Sequence, residues 1–287
     1  MTRIGIVGGG MAATMHAEAI VNARAATLVG VGGRVATGVA LSAAANVPHL
    51  DLEPLIAASD ALVIASPPDT VADIVTAIGS RVRALLIESP LPRSLITPVI
   101  PTMVAANLLH APAVRSGLAA IAKMSAHHLQ LRSTQPRPTW GFHGTAGPLL
   151  DPGARLLPVL LAAAGSVVVS SERRNFGLAE DHAVSLLLAD GRTVEMRSSW
   201  ADGAPHAELE AADNSGVVQI SFFPVPRLEI DGRPIEREES PPIRSLGFVD
   251  QIERLARVAK GDAEPWLPLA SGQGIRALLS EASDNAG

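Results

Sequence analysis

The sequence contains no cysteine. Disulfides, thiolate nucleophiles and Cys-ligated metals are all excluded. It contains no tyrosine, so a phenolic acid or base of the kind short-chain dehydrogenases use is excluded as well. Aromatic residues make up only 3% of the chain, which leaves the core to Ala, Val, Leu and Ile. The net charge is −5 and no basic run accompanies it, so no nucleic-acid or anionic-membrane partner is expected. No H-E-x-x-H or comparable ligand spacing occurs, and no metal is expected. No apolar run reaches membrane-spanning length without a charge, Pro or Gly. The first residues already read as a strand rather than as a signal peptide, and a cytoplasmic location is expected.

What is present begins with Arg3-Ile4-Gly5-Ile6-Val7-Gly8-Gly9-Gly10-Met11-Ala12-Ala13. A β-branched apolar run ends in three glycines, and Ala12 to Ile20 reads as a helix. Gly8, Gly10 and Ala13 occupy the G-x-G-x-x-G/A positions. There the first glycine permits a tight turn, the second lets backbone approach a pyrophosphate, and the third, small residue packs helix on strand. The helix N-terminus then faces the anion, with Met11 beside it. A second strand, Ala26 to Arg34, reaches the place where a dinucleotide fold usually carries an acid for the ribose 2′-OH. Here Gly33 and Arg34 stand there instead. Arg34 is either the partner of a 2′-phosphate or a solvated turn residue. NADP or NAD is the expected cofactor, with NADP favoured.

At 287 residues the chain is long enough for two domains. Helices are expected at Thr37–Ala45, Leu52–Ala58 and Val71–Ile78, and strands at Asp60–Ala65 and Arg83–Glu88. This alternation predicts βαβ units and a parallel sheet. Gly8–Ala13, Gly33–Arg34, Ser66–Pro68 and Glu88–Pro90 then converge beyond the carboxyl ends of the strands, where such sheets bind ligands. Met103–Leu109 reads as one more strand or a short helix. Beyond Pro112 the pattern changes. A helix over Ala113–Lys123 precedes strands at Ala126–Ser133, Ser166–Arg174, Asp181–Leu188, Thr193–Trp200, His206–Ala212, Val217–Phe223 and Arg227–Ile230. Turns at Asp190-Gly191 and Asp213–Gly216 mark hairpins of an antiparallel sheet. Helices are also expected over Pro148–Ala164, Phe248–Lys260 and Ser271–Ala282, and a mobile surface loop over 232–245. The predicted architecture is a Rossmann domain, 1–113, followed by an α+β domain, 114–287, with an open, mainly antiparallel sheet. The helix 271–282 is expected to pack back at the domain junction.

These features resemble the Gfo/Idh/MocA oxidoreductase family over nearly the whole chain. The resemblance rests on Gly8 to Ala13 with His16, and on Asp60-Ala61-Leu62-Val63-Ile64-Ala65-Ser66-Pro67-Pro68, like D-x-V-x-I-A-T-P-P. It rests also on Glu88-Ser89-Pro90-Leu91, like E-K-P-L; on Gly147 to Arg155, like G-G-x-x-x-D-x-G-x-H; and on Glu180-Asp181 leading a strand that turns at Asp190-Gly191. The family implies a bound nicotinamide cofactor and a sugar-like or polyol substrate at the domain junction. It also implies a homodimer or homotetramer through the antiparallel sheet. It further implies proton transfer by the Lys of E-K-P and the His of D-x-G-x-H.

Ser89 and Arg155 stand at those two positions, and neither can replace the group it displaces. A serine hydroxyl barely ionises near neutral pH, and a guanidinium cannot give up its proton. The cofactor-binding candidates are Gly8, Gly10, Met11, Ala13, Arg34, Ser66, Pro67 and Glu88. The candidates for the chemistry are Arg155, Asp151, His110 and Glu88. Glu88 is read first as a cap for a neighbouring helix or turn, and Asp151 and Arg155 either as an intrahelical ion pair or as substrate contacts. His16 is read as a packing residue, His182 and His206 as strand surface positions. His127 and His128, adjacent on a strand, face opposite ways. His110 and His143 are placed nearest the crevice. The function expected is an NAD(P)-binding oxidoreductase acting on a small polar or secondary-metabolite substrate. The alternatives are a redox-inactive relative performing a cyclisation, elimination or isomerisation, and a non-enzymatic nucleotide sensor.

Overall fold

Short apolar runs, each closed by a turn rich in Gly, Ser or Pro, build the first sheet. The computed structural model describes residues 1–92, 95–137, 147–175, 180–236 and 240–284. Its first five strands are β1 (Thr2–Val7), β2 (Ala26–Gly32), β3 (Ala61–Ile64), β4 (Ala84–Ile87) and β5 (Thr102–Val104). They pair in parallel in the order β2-β1-β3-β4-β5. β3 and β4 are buried at every position, as parallel strands covered on both faces must be. The chain runs from β1 to β2 on one side and then returns to place β3 on the other. Strand order therefore reverses between β1 and β3, the point at which a doubly wound sheet opens a crevice.

Helices Met11–Asn22, Val35–Ala44, Leu52–Ala58 and Pro68–Ile78 connect these strands. The last begins three residues earlier than expected, because Pro68 supplies a fixed φ for the first turn and an N–H is not needed there. The stretch 103–109 holds both expected elements, the end of β5 and a short helix, Asn107–His110. Grouped by backbone contacts, one unit comprises Met1–Asn107 with Gly247–Gln273, and the other Leu108–Leu246 with the segment from Gly274. Helix Phe248–Lys260, assigned from sequence to the second domain, therefore groups with the first. Its stripe of Val249, Ile252, Leu255 and Ala256 is buried, and Gln251 Oε1 accepts from the Ala106 amide at 2.8 Å. Chain order alone does not say which sheet a returning helix covers. The boundary at 273/274 falls inside the last helix, Leu269–Asp284.

The second unit holds β6 (His128–Gln135), β7 (Val168–Asn175), β8 (Asp181–Leu188), β9 (Thr193–Trp200), β10 (His206–Asp213), β11 (Gly216–Ser221), β12 (Arg227–Ile230) and β13 (Arg233–Pro234). Their order is β13-β12-β11-β10-β6-β9-β8-β7. All pairs are antiparallel except β6 with β9. The long connection through helix Pro152–Ala164 and the β7–β8 hairpin permits that one parallel pair, since parallel neighbours need a crossover. The inner face buries Leu131, Val184, Met196, Leu209 and Ile220. Helix Pro112–Ile121 lies close against it at Gly117, where an added Cβ would stand 2.4 Å from Ile220 Cδ1. The segment 232–245, expected as a mobile loop, instead contains β13 and a short helix, Pro242–Ser245. Among the described residues no helix is long and apolar enough to cross a membrane.

Candidate functional site: a glycine-built crevice and a second polar site

At the carboxyl end of β1, Gly8 has φ +144°, and a Cβ there would stand 2.2 Å from the Ala65 carbonyl oxygen. Only glycine fits, because two loops pass at van der Waals contact. The Gly8 amide donates to the Gly32 carbonyl at 2.9 Å, and Gly33, at φ +120°, lies beside it. Gly9 packs on the next helix, where a Cβ would meet Thr37 carbonyl carbon at 2.5 Å. Gly10 differs from all of these. Its φ is −86°, open to any residue, and a Cβ there would meet nothing within 4 Å. Among the described residues no contact requires a glycine at 10.

Helix Met11–Asn22 starts at this open position without a side-chain cap and without an acid in its first turn. The first free N–H groups and the positive end of the dipole thus face outward, a ready site for an anion. Ala13 is fully buried, as the third fingerprint position requires, and Met11 is exposed at the mouth. These features fit a pyrophosphate: a turn only glycine can make, a glycine with open space beside it, and an uncapped helix end.

Around that opening, the Ser66 hydroxyl donates to the Val7 carbonyl at 3.0 Å, and the Ala65 amide to the same oxygen at 2.9 Å. Pro67 is exposed at the start of helix Pro68–Ile78. Arg34 is exposed and precedes helix Val35–Ala44, which has no acid in its first turn. Of the sequence-predicted cofactor residues, Gly8, Gly10, Arg34, Ser66 and Pro67 lie on turns that follow strands, and Met11 and Ala13 in the first turn of the first helix.

Glu88 follows β4, and its amide donates to the Ile64 carbonyl at 2.9 Å. Its carboxylate caps its own turn, one of the two expected readings, and also pairs with a histidine. Oε1 lies 2.6 Å from His16 Nε2, and Oε2 accepts from the Ser89 amide at 3.3 Å. His16 is fully buried, with its ring edge-on to Phe248 at 5.3 Å between centroids. Its other nitrogen, Nδ1, is buried with no hydrogen-bond partner. His16 therefore packs, as expected, but it also fixes Glu88. Helical spacing with Ala13, Ala17 and Ile20 was the available signal for its buried direction. The Ser89 hydroxyl donates to the Ala105 carbonyl at 3.3 Å.

In the second unit, Asp151 is buried at the start of helix Pro152–Ala164 and pairs with Arg155 four residues on, whose side chain is half exposed. The intrahelical pair is thus formed. His110 is buried in the short helix Asn107–His110. His143 lies outside the described residues. His206 is exposed as expected, but His182 is not a surface residue: it is 7% exposed, on the inner face of β8. Its Nδ1 accepts from Arg173 Nη2 at 3.0 Å. Across the sheet it faces Ser198, whose hydroxyl donates to the Pro148 carbonyl at 2.9 Å. This polar row, Arg173–His182–Ser198, continues to the buried Ser133 of β6 and breaks the apolar face beside the turn that carries Asp151. Its sequence signal was strand parity with Val184, Leu186 and Leu188. Burial lowers the Arg173 pKa. Next to His182, the hydrogen bond from Arg197 holds the Asp181 carboxyl below the usual range. Among the described residues no group of three or more His, Asp or Glu side chains could hold a metal ion.

Residues 2–96 match the model of the Gfo/Idh/MocA family, described as an oxidoreductase family with an NAD-binding Rossmann fold. The fold of the whole chain is shared with solved structures of low identity. GenD2 from gentamicin A biosynthesis, solved with NAD, is 17% identical, with a TM-score of 0.82 over 99% of this chain and 94% of that one. UDP-N-acetylglucosamine 3-dehydrogenase GnnA from Acidithiobacillus ferrooxidans is 14% identical, with a TM-score of 0.81 over 98% and 96%. An oxidoreductase from Agrobacterium radiobacter, solved with NAD+, L-tartaric acid and magnesium, is 14% identical, with a TM-score of 0.78 over 100% and 97%. No curated protein matches the sequence.

Proposed function

We propose that this chain, whose residues 2–96 carry the Rossmann domain of the Gfo/Idh/MocA oxidoreductase family, transfers hydride between a nicotinamide dinucleotide and a small polar substrate. The observation that carries this reading is Gly10: a glycine with ordinary φ, open space and an uncapped helix behind it. When bound, the nicotinamide supplies the hydride chemistry. The chain supplies binding and orientation. Gly8 brings the loop across β3, and the amides after Gly10 hold the pyrophosphate. Met11, Ser66 and Pro67 border the dinucleotide, and Ala13 lets the helix sit close to the sheet. Arg34 has no acidic competitor in the adjoining turn, and it favours NADP through charge-assisted bonds to a 2′-phosphate. The substrate is read as a sugar-like polyol or hydroxy acid, the kinds of molecule named for the neighbours. Asp151 and Arg155 are its proposed contacts. The protein is placed in the cytoplasm and is expected to self-associate through the outward face of its second sheet.

Alcohol oxidation releases a hydride to the nicotinamide and a proton to a base, and ketone reduction reverses both. Ser89 donates its hydroxyl to a backbone carbonyl and Arg155 is paired with Asp151, so neither position offers a titrating proton. The lysines of the chain, Lys123 and Lys260, are exposed residues after helix Pro112–Ile121 and at the end of helix Phe248–Lys260. Glu88 and His110 are then the proposed proton-handling groups, a step that contributes about 10²- to 10⁴-fold where it operates. The same substitutions favour a second reading, a non-redox elimination or isomerisation on the same scaffold. A panel of polyols, nucleotide sugars and hydroxy acids, followed by nicotinamide absorbance, separates the two. Turnover stoichiometric with nicotinamide supports the first, and product formation without net nicotinamide change supports the second.

A further inference from the structure

The amino-terminal edge of the first sheet, at the other end of the strands from the glycine crevice, carries a row of charges. Ile4, Ala61 and Ala84 are in register across β1, β3 and β4, so Arg3, Asp60 and Arg83 stand side by side one residue earlier. Backbone bonds fix the row: the Asp60 amide donates to the Arg3 carbonyl at 2.8 Å, and the Arg83 amide to the Asp60 carbonyl at 2.8 Å. Strand parity gives the three side chains one face of the sheet. With Glu53 and Arg81 they line a pocket of about 350 Å³, to which the buried Ile56 and Val82 add an apolar wall.

Two of the three guanidiniums are already matched. Arg3 Nε and Nη2 donate to Asp60 Oδ2 and Oδ1 at 3.2 and 3.1 Å. Arg81 donates to both oxygens of the Glu53 carboxylate, with Nη2 at 3.0 Å from Oε1, and to the Ile78 carbonyl at 3.3 Å. These bonds hold the Asp60 and Glu53 carboxyls below their ordinary range, so both acids are charged at neutral pH. Arg83 differs. It is exposed, and among the described residues its guanidinium has no hydrogen bond or ion pair. Three cations against two anions leave this pocket positive, in a chain whose net charge is −5.

A guanidinium fork matches the oxygens of a carboxylate or a phosphate, and pockets of about 300–1,000 Å³ hold small molecules. We propose that this pocket is a second ligand site, in which Arg83 binds the oxyanion of a small carboxylate- or phosphate-bearing metabolite between the two ion pairs. The pairs fix the walls and Arg83 supplies the fork. The site lies at the far end of β1, β3 and β4 from Gly8, Ser66 and Glu88, and it does not depend on the nucleotide reading above.

The test is an NMR titration of the isotope-labelled full chain with sodium phosphate and, separately, with sodium succinate. The signal followed is the Arg83 Nε–H resonance, identified by its loss in Arg83→Gln. A saturable shift is expected, and the anion that binds more tightly tells a phosphate-bearing ligand from a carboxylate-bearing one. Glu53→Gln removes a negative charge from the rim without altering Arg83, and it is expected to tighten binding about threefold. A shift that sodium chloride reproduces at equal ionic strength, no saturable shift with either anion, or equal affinities in the wild-type and Glu53→Gln chains overturns the proposal. None of these results bears on nucleotide binding at the crevice.

Discussion

At the rim of the first sheet, Gly8 and Gly33 let backbone segments pass in close contact, and Gly10 stands beside open space. On the inner face of the second, Arg173, His182 and Ser198 present side chains already bonded to one another or to the Pro148 carbonyl. The first region is made by leaving side chains out where the ends of β1, β2 and β3 meet. The second is made by bringing together residues from β7, β8 and β9 and the turn before helix Pro152–Ala164. A ligand for the first is recognised by amides and a helix dipole, which any phosphate-bearing molecule can use.

Substitutions can break or sharpen this contrast. The largest effect is expected from Gly8→Ala, since the new Cβ must occupy a left-handed backbone position 2.2 Å from a carbonyl oxygen. A loss of about 3 kcal/mol or more in chemical denaturation is expected, with nucleotide binding abolished. His182→Ala removes the acceptor for Arg173 Nη2 and leaves a small cavity. Stability is expected to fall by about 1–3 kcal/mol while dinucleotide affinity is unchanged, which separates the two regions directly. Arg34→Ala is expected to reduce any preference for NADPH over NADH by about tenfold, read from paired fluorescence titrations, with no change in melting temperature.

The smallest effect concerns pH. Arg197 holds the Asp181 carboxyl below its ordinary value. A folded pKa below the unfolded one contributes stability that is present above the unfolded pKa and lost as pH falls through the folded one. The pair is partly solvated, so the contribution is about 1 kcal/mol or less. Asp181→Asn is expected to flatten the acid limb of a stability–pH curve below about pH 4 and to leave the neutral region nearly unchanged.

Sequence legibility follows the same division. The strand–glycine–helix start, the hairpin turn at Asp190-Gly191 and the helix Phe248–Lys260 are local patterns, and each appears where it was read. Helix Leu52–Ala58 and strands β8, β9 and β12 match to the residue. What was not legible depends on partners distant in sequence. Glu88 lies 72 residues from His16, and a carboxylate at a strand end reads equally well as a cap. His182 carried a readable parity, but its neighbour Arg173 sits across a hairpin. The parallel β6–β9 pair also followed from topology rather than from either strand's residues.

The measurement that bears most directly on this reading is a titration of the wild-type chain and of Gly10→Ala with NADPH and NADH, with melting temperature measured alongside. Gly10 has ordinary φ and no neighbour within 4 Å of an added Cβ. The variant is therefore expected to keep its stability to within about 0.5 kcal/mol while losing dinucleotide affinity by about tenfold or more. A folded wild-type chain that binds neither nucleotide, or a Gly10→Ala variant that binds as tightly as the wild type, would contradict the assignment of the crevice.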